Sequence, residues 1–128
     1  EVKFIKAEAL LRQGKNQEAL DALSEALTAS VTKITGAAPS AAFLDEVLPD
    51  NAANLTLADI MTQKYIAMFT QFEAWTDVRR TDLPVITPQP GNASIPTRYP
   101  YPQRERDLNG ANVPTGNVGL FDKIFWDN

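Results

Sequence analysis

Seven of the nine prolines in this chain fall between Pro84 and Pro114. Proline fixes its own φ, has no amide donor, and pushes the preceding residue away from the helical region. A segment so loaded is predicted to sustain neither a helix nor a central strand. The chain therefore divides near Thr81 into a helix-forming part and a coil over 81–128. That coil does not read as a flexible linker, because Tyr99, Tyr101, Phe121, Phe125 and Trp126 are interleaved with the prolines. Each aromatic can remove well over ~100 Å² from water, which offsets the entropy lost on ordering. An ordered coil, packed against a helix, is the expectation.

The part before Thr81 has helical periodicity. Val2, Ile5 and Ala9 form one apolar stripe and Phe4, Ala7 and Leu11 a second, with Gly14 placed to cap the helix in the left-handed conformation. Asn16 is expected to cap the next helix, where Leu20, Leu23, Leu27, Val31 and Ile34 recur at steps of three and four until Gly36. Residues 1–36 thus read as a helical hairpin, with Ala7, Ala9, Ala19 and Ala22 allowing close approach. It is similar to one tetratricopeptide unit, but no second copy follows at a fixed period. A loop follows, with a short helix capped by Ser40. Thr56 and Asp59 then make a capping-box-like pair. Leu57, Met61, Tyr65, Met68, Phe72 and Trp75 continue at helical spacing, which predicts one long central helix over 56–80.

A 44% apolar composition is enough to build a core, and no apolar run reaches the ~18–20 residues that span a membrane. The net charge of −4 argues against a nucleic-acid partner. With neither cysteine nor histidine, thiol nucleophiles, Ser-His-Asp triads and most zinc sites are excluded. Charge is unevenly placed, with six basic against eleven acidic residues in 1–78 and five arginines against Asp82 and Glu105 in 79–106. Pairing of those arginines with acidic helix faces is the expected use of the asymmetry.

Few residues carry candidate chemistry. Glu73 and Asp77 lie four apart on one helical face, a spacing that suits an acid–base pair or, more often, an ion network with Arg80. Arg79 and Arg80 sit in the last helical turn, where positive charge is favoured and where a guanidinium can hold several carbonyls of a following coil. Trp75, on the apolar face, is expected in the core. Tyr99 and Tyr101, flanked by Pro100 and Pro102, suit either a flat platform for sugars or peptides or a plug between helices. No catalytic residue, metal cluster, phosphate-binding loop or cofactor site stands out. "NLT" at 54–56 and "NAS" at 92–94 match the glycosylation acceptor pattern.

Three segments, "FIKAEALLRQGKNQEALDALSEALTAS", "IMTQKYIAMFTQFEAWTDVRRTDLPVI" and "IPTRYPYPQRERDLNGANVP", together resemble the C-terminal region of the SusD/RagB family of nutrient-binding outer-membrane lipoproteins of Bacteroidetes. Gln63 to Phe69, Glu73 to Trp75, Arg79 to Thr81, Arg98, Tyr101-Pro102 and Trp126-Asp127 carry the likeness, whereas Val78 and Phe125 stand where tryptophan is common. The resemblance implies a mostly α-helical fold, with tetratricopeptide-like helix pairs and a loop-rich ligand face. It also implies a non-catalytic protein, lipid-anchored at the surface, that binds nutrients, chiefly glycans. Its partners would be a SusC-like TonB-dependent transporter and the upstream part of the same protein, whose helices would cover the first helix. The family's sugar-contacting aromatics lie mostly upstream, and Trp75, Arg79, Arg80, Arg98, Tyr101 and Trp126 look like features that define the fold. On this reading 1–128 is the C-terminal portion of a single SusD-like domain. Two other functions fit parts of the sequence: a tetratricopeptide-type protein-interaction module, and a glycoside hydrolase fragment using Glu73 and Asp77.

Overall fold

The computed structural model describes residues 1–92, 94–116 and 119–124, and these form helices and loops with no strand among them. They belong to two compact units, Glu1–Pro84 and Val85–Asn128.

The first unit opens with α1 (Val2–Arg12) and α2 (Asn16–Thr35), which pack closely along their length. Gly14, at φ 73°, ends α1 as expected. The Lys15 amide donates to the Leu10 carbonyl at 3.0 Å and the Gly14 amide to Leu11 at 2.9 Å, the paired bonds of a Schellman cap. That reversal makes Lys15, not Asn16, the residue that caps α2, because its carbonyl already accepts the Ala19 amide at 2.9 Å. Asn16 is the first helical residue, and the expectation that it caps α2 is corrected.

Of the two stripes on α1, the one holding Phe4 and Ala7 is buried against α2, where Ala19, Ala22, Leu23, Ala26 and Leu27 meet it. The small residues at this seam let the helix axes approach closely, as the composition predicts. Ala9 is not among them, for it lies exposed on the second stripe with Val2 and Ile5. Gly36, at φ 78°, closes α2. Ile34 falls on its exposed side.

Ser40 caps the short α3 (Ala41–Val47), its hydroxyl accepting the Phe43 amide at 3.2 Å. A 3-10 turn (Ala52–Asn54) leads to α4 (Leu57–Ala67). The capping box is present: Thr56 Oγ1 accepts the Asp59 amide, and Asp59 Oδ2 accepts the Thr56 amide at 2.8 Å. Ile60 and Met61 are buried in the same cluster as Phe4 and Leu23, so α4 closes the core over the hairpin.

One long helix over 56–80 is not what forms. α4 stops at Ala67 and α5 runs over Phe72–Thr81, with Thr70 between them at φ 69°. The apolar spacing continues through the break, but Phe69 and Phe72 are 78% and 72% exposed, so they do not extend the core-facing stripe. The turn redirects α5 so that its own buried residues, Ala74 and Val78, face inward.

The second unit is not wholly irregular either. α6 (Gln103–Leu108) forms with Pro102 at its N-cap, followed by a 3-10 turn (Gly110–Asn112). It occupies the longest gap between prolines in this unit, from Pro102 to Pro114, where no ring removes an amide donor. Upstream, the Thr97 amide and hydroxyl are held by the carbonyls of Leu120 at 3.0 Å and Asp122 at 2.9 Å. These bonds order a proline segment that has no regular ladder of its own.

Candidate functional site

The most concentrated chemistry in the first unit is a chain of alternating charges across α4, α5 and α1. Lys64 lies on the inner face of α4 near Ile60, Met61 and Met68, and is buried with them. Its ammonium is 2.6 Å from Asp77 Oδ2 on α5. The other Asp77 oxygen accepts from Arg80 Nη2 at 2.9 Å. Arg80 reaches Glu8 on α1 with both arms of its fork, Nη1 to Oε1 at 2.7 Å and Nη2 to Oε2 at 2.8 Å. Arg12, one turn further along α1, donates from Nε to Glu8 Oε1 at 2.9 Å. Two mostly buried carboxylates are thus matched by three cations, which is the condition under which buried charge is tolerated.

The Arg80 guanidinium holds the Glu8 carboxyl below the usual carboxylate range, against the opposing effect of burial and with help from Arg12. Glu8 raises Arg80 in return. Both therefore stay ionised at neutral pH. Such groups fasten helices; they are not poised to exchange protons. In the suggested acid pair, Asp77 is engaged by Lys64 and Arg80, while Glu73 is exposed at the start of α5. The Asp77 side chain is 13% exposed. Among the described residues, no group of three or more His, Cys, Asp or Glu is placed to hold a metal ion.

The arginine pair splits its roles. Arg80 bonds carboxylates on α1 and α5. α5 folds back beside α1, where Glu8 offers a flat bidentate acceptor that matches the guanidinium fork. Arg79 stacks over the Trp75 ring, 3.8 Å from its centroid, and Trp75 is half-buried. In the second unit Tyr99 is 61% exposed, whereas Tyr101 is half-buried with the Arg98 guanidinium 5.8 Å from its ring centre. Trp126, together with Phe125 and Asp127, lies outside the described residues, as does Ala93 of "NAS". Asn54 of "NLT" is exposed, and its Thr56 serves the cap of α4.

A groove of about 430 Å³ opens beside the charge chain, walled by α1 and α5. Ile5 and Ala9 line one side, Glu73 and Thr76 the other, and Arg12 and Arg80 also border it.

Sequence reasoning missed Lys64 and Glu8, the two buried charges that anchor this arrangement. Each interrupts an apolar stripe: Lys64 sits three residues after Met61 and four before Met68, and Glu8 four after Phe4 and three before Leu11. A lone charge at a core position of an amphipathic helix is the signal that would have found them.

The family model SusD-like_2, described as "Starch-binding associating with outer membrane", matches residues 1–102. No curated protein and no solved structure matches the chain.

Proposed function

The chain belongs to the SusD-like_2 family, and from that premise we propose that it is the C-terminal portion of a single-domain, non-catalytic nutrient-binding protein at the outer-membrane surface. On this reading the protein binds an oligosaccharide and passes it to a SusC-like TonB-dependent transporter, held at the membrane by a lipid anchor outside this segment. The observation that carries the non-catalytic part is the pairing of Asp77 with Lys64 and Arg80. With both its oxygens engaged by cations of the helix scaffold, Asp77 supports a structural use of this carboxylate over the hydrolase alternative built on Glu73 and Asp77. Exposed Tyr99, between Arg98 and Pro100, remains a candidate platform for a sugar ring, and Tyr101 beside Arg98 is the less accessible of the two.

The test is calorimetric titration of the intact protein with starch-derived oligosaccharides, run beside an assay for released reducing ends. Saturable binding without turnover supports the reading. Turnover that disappears with Glu73→Gln would replace it with the hydrolase.

A further inference from the structure

Asn109 is the only asparagine in the chain that is followed by glycine. Such a pair is common in two-residue hairpin turns, which need positive φ, but here it joins α6 to the 3-10 turn at Gly110–Asn112. Gly14, Gly36 and Gly91 have positive φ, and Gly110 is not among them. A β-carbon at Gly110 would meet nothing within 4 Å. The fold therefore does not require glycine at this position. Its chemical consequence is an amide nitrogen with no side chain to shield it.

The surroundings of Asn109 favour attack by that nitrogen in some respects and restrain it in others. Residues 102–112 are exposed, so water and base reach both groups. The Gly110 amide is bonded to no acceptor among the described residues. The Asn109 carboxamide is bonded at both ends: its Nδ2 donates to Glu105 Oε2 at 3.1 Å, and its Oδ1 accepts from Asn112 Nδ2 at 2.6 Å. The Asn112 amide also donates to the Asn109 carbonyl at 2.9 Å. With Asn109 at ψ 26°, the Gly110 nitrogen points away from the Asn109 side chain. Attack needs rotation about the Asn109 Cα–C bond, and both Asn112 bonds oppose it. Water would supply the side-chain oxygen with an equal donor, so the net effect of Asn112 is restraint and not activation. Exposed bonds at the end of a six-residue helix open at low free-energy cost.

We propose that Asn109 is a site of spontaneous deamidation, with Gly110 as the nucleophile and Asn112 as the residue that slows it. Base removes the Gly110 amide proton, and the nitrogen forms a bond to Asn109 Cγ. The Cγ–Nδ2 bond breaks, and ammonia leaves with a proton from water. A cyclic succinimide remains, with no change in oxidation state. Water then opens the ring at Cγ to give aspartate, or at the main-chain carbonyl to give isoaspartate. Either product removes the donor that Glu105 Oε2 accepts from and adds a negative charge next to it. Isoaspartate also adds a methylene to the main chain between α6 and the 3-10 turn. The reaction is thus a one-way loosening of this exposed segment.

The intact protein, held at mildly alkaline pH and sampled over time, is digested and mapped by mass spectrometry, with isoaspartate detected by methyltransferase labelling. Gly110→Ala and Asn112→Ala variants are treated alike, and their melting temperatures are recorded. Asn109 should convert ahead of every other asparagine and yield both products. Gly110→Ala should slow this at least about tenfold with an unchanged melt, because the methyl group crowds the nucleophile in a place that has room for it. Asn112→Ala should speed it about two- to tenfold, the range that one exposed hydrogen bond is worth. Conversion at Asn109 no faster than elsewhere, or an undiminished rate in Gly110→Ala, would overturn the site. An unchanged or slower rate in Asn112→Ala would overturn the restraint.

Discussion

Lys64 and Asp77 are 13 residues apart in sequence, yet their charged atoms lie 2.6 Å from each other. In a continuous helix the same separation would place their backbones about 20 Å apart. The contact exists because the chain turns at Thr70, and it brings the end of α5 beside Glu8 of α1. One turn therefore determines both the buried ion pair and the groove next to it.

Removing either member of this pair strands the other. Asp77→Leu leaves a buried ammonium without its carboxylate and should cost about 3–5 kcal/mol. Lys64→Met should cost less, about 2–3 kcal/mol, because Arg80 still neutralises Asp77. Replacing both together should recover most of the loss, since an apolar pair of similar volume suits this environment. Denaturant unfolding of the four proteins measures the coupling, and strictly additive losses would contradict the arrangement.

Arg80 is partly solvated, with its side chain 39% exposed, so its removal should cost less than that of a fully enclosed partner. Arg80→Ala is expected to destabilise by about 2–3 kcal/mol, chiefly by leaving Glu8 without its bidentate donor. Arg80→Lys should recover only part of this, because one ammonium cannot span both Glu8 oxygens and Asp77. Equal stability of the Lys variant and the natural protein would refute the fork geometry.

Acid should loosen the same contacts. The folded state holds Glu8 below its unfolded value, so its contribution is complete above about pH 4.3 and is lost as pH falls through the lower folded value. A Glu8→Gln variant should be less stable at neutral pH, and its stability should fall less steeply on acidification. Stability curves from pH 7 down to about pH 2.5 would show this, and parallel curves would exclude it.

Thr70 offers a test in the opposite direction. A β-branched residue at φ 69° is strained by about 1–2 kcal/mol, and glycine relieves this while adding ~0.5–1 kcal/mol of unfolded-state entropy. Thr70→Gly should therefore raise stability by about 0.5–1 kcal/mol. A destabilised variant would mean that the Thr70 side chain contributes something beyond the turn.

Local patterns determined much of this protein. The hairpin, the left-handed glycines at 14 and 36, the Ser40 cap and the Thr56–Asp59 box depend on residues within a few positions of each other. Such features are written in short-range spacing and hydrogen-bonding capacity, and the family likeness rests on motifs of the same local kind. Proline density likewise marked where regular structure thins, though it hid α6 in the gap after Pro102. Only the tertiary structure decided the break at Thr70, because Phe69 and Phe72 keep helical spacing whether or not they face a core. It also decided what Arg80 binds. Its partner Glu8 lies 72 positions away, and no local pattern carries the depth at which two distant helices bring a carboxylate and a guanidinium out of water together.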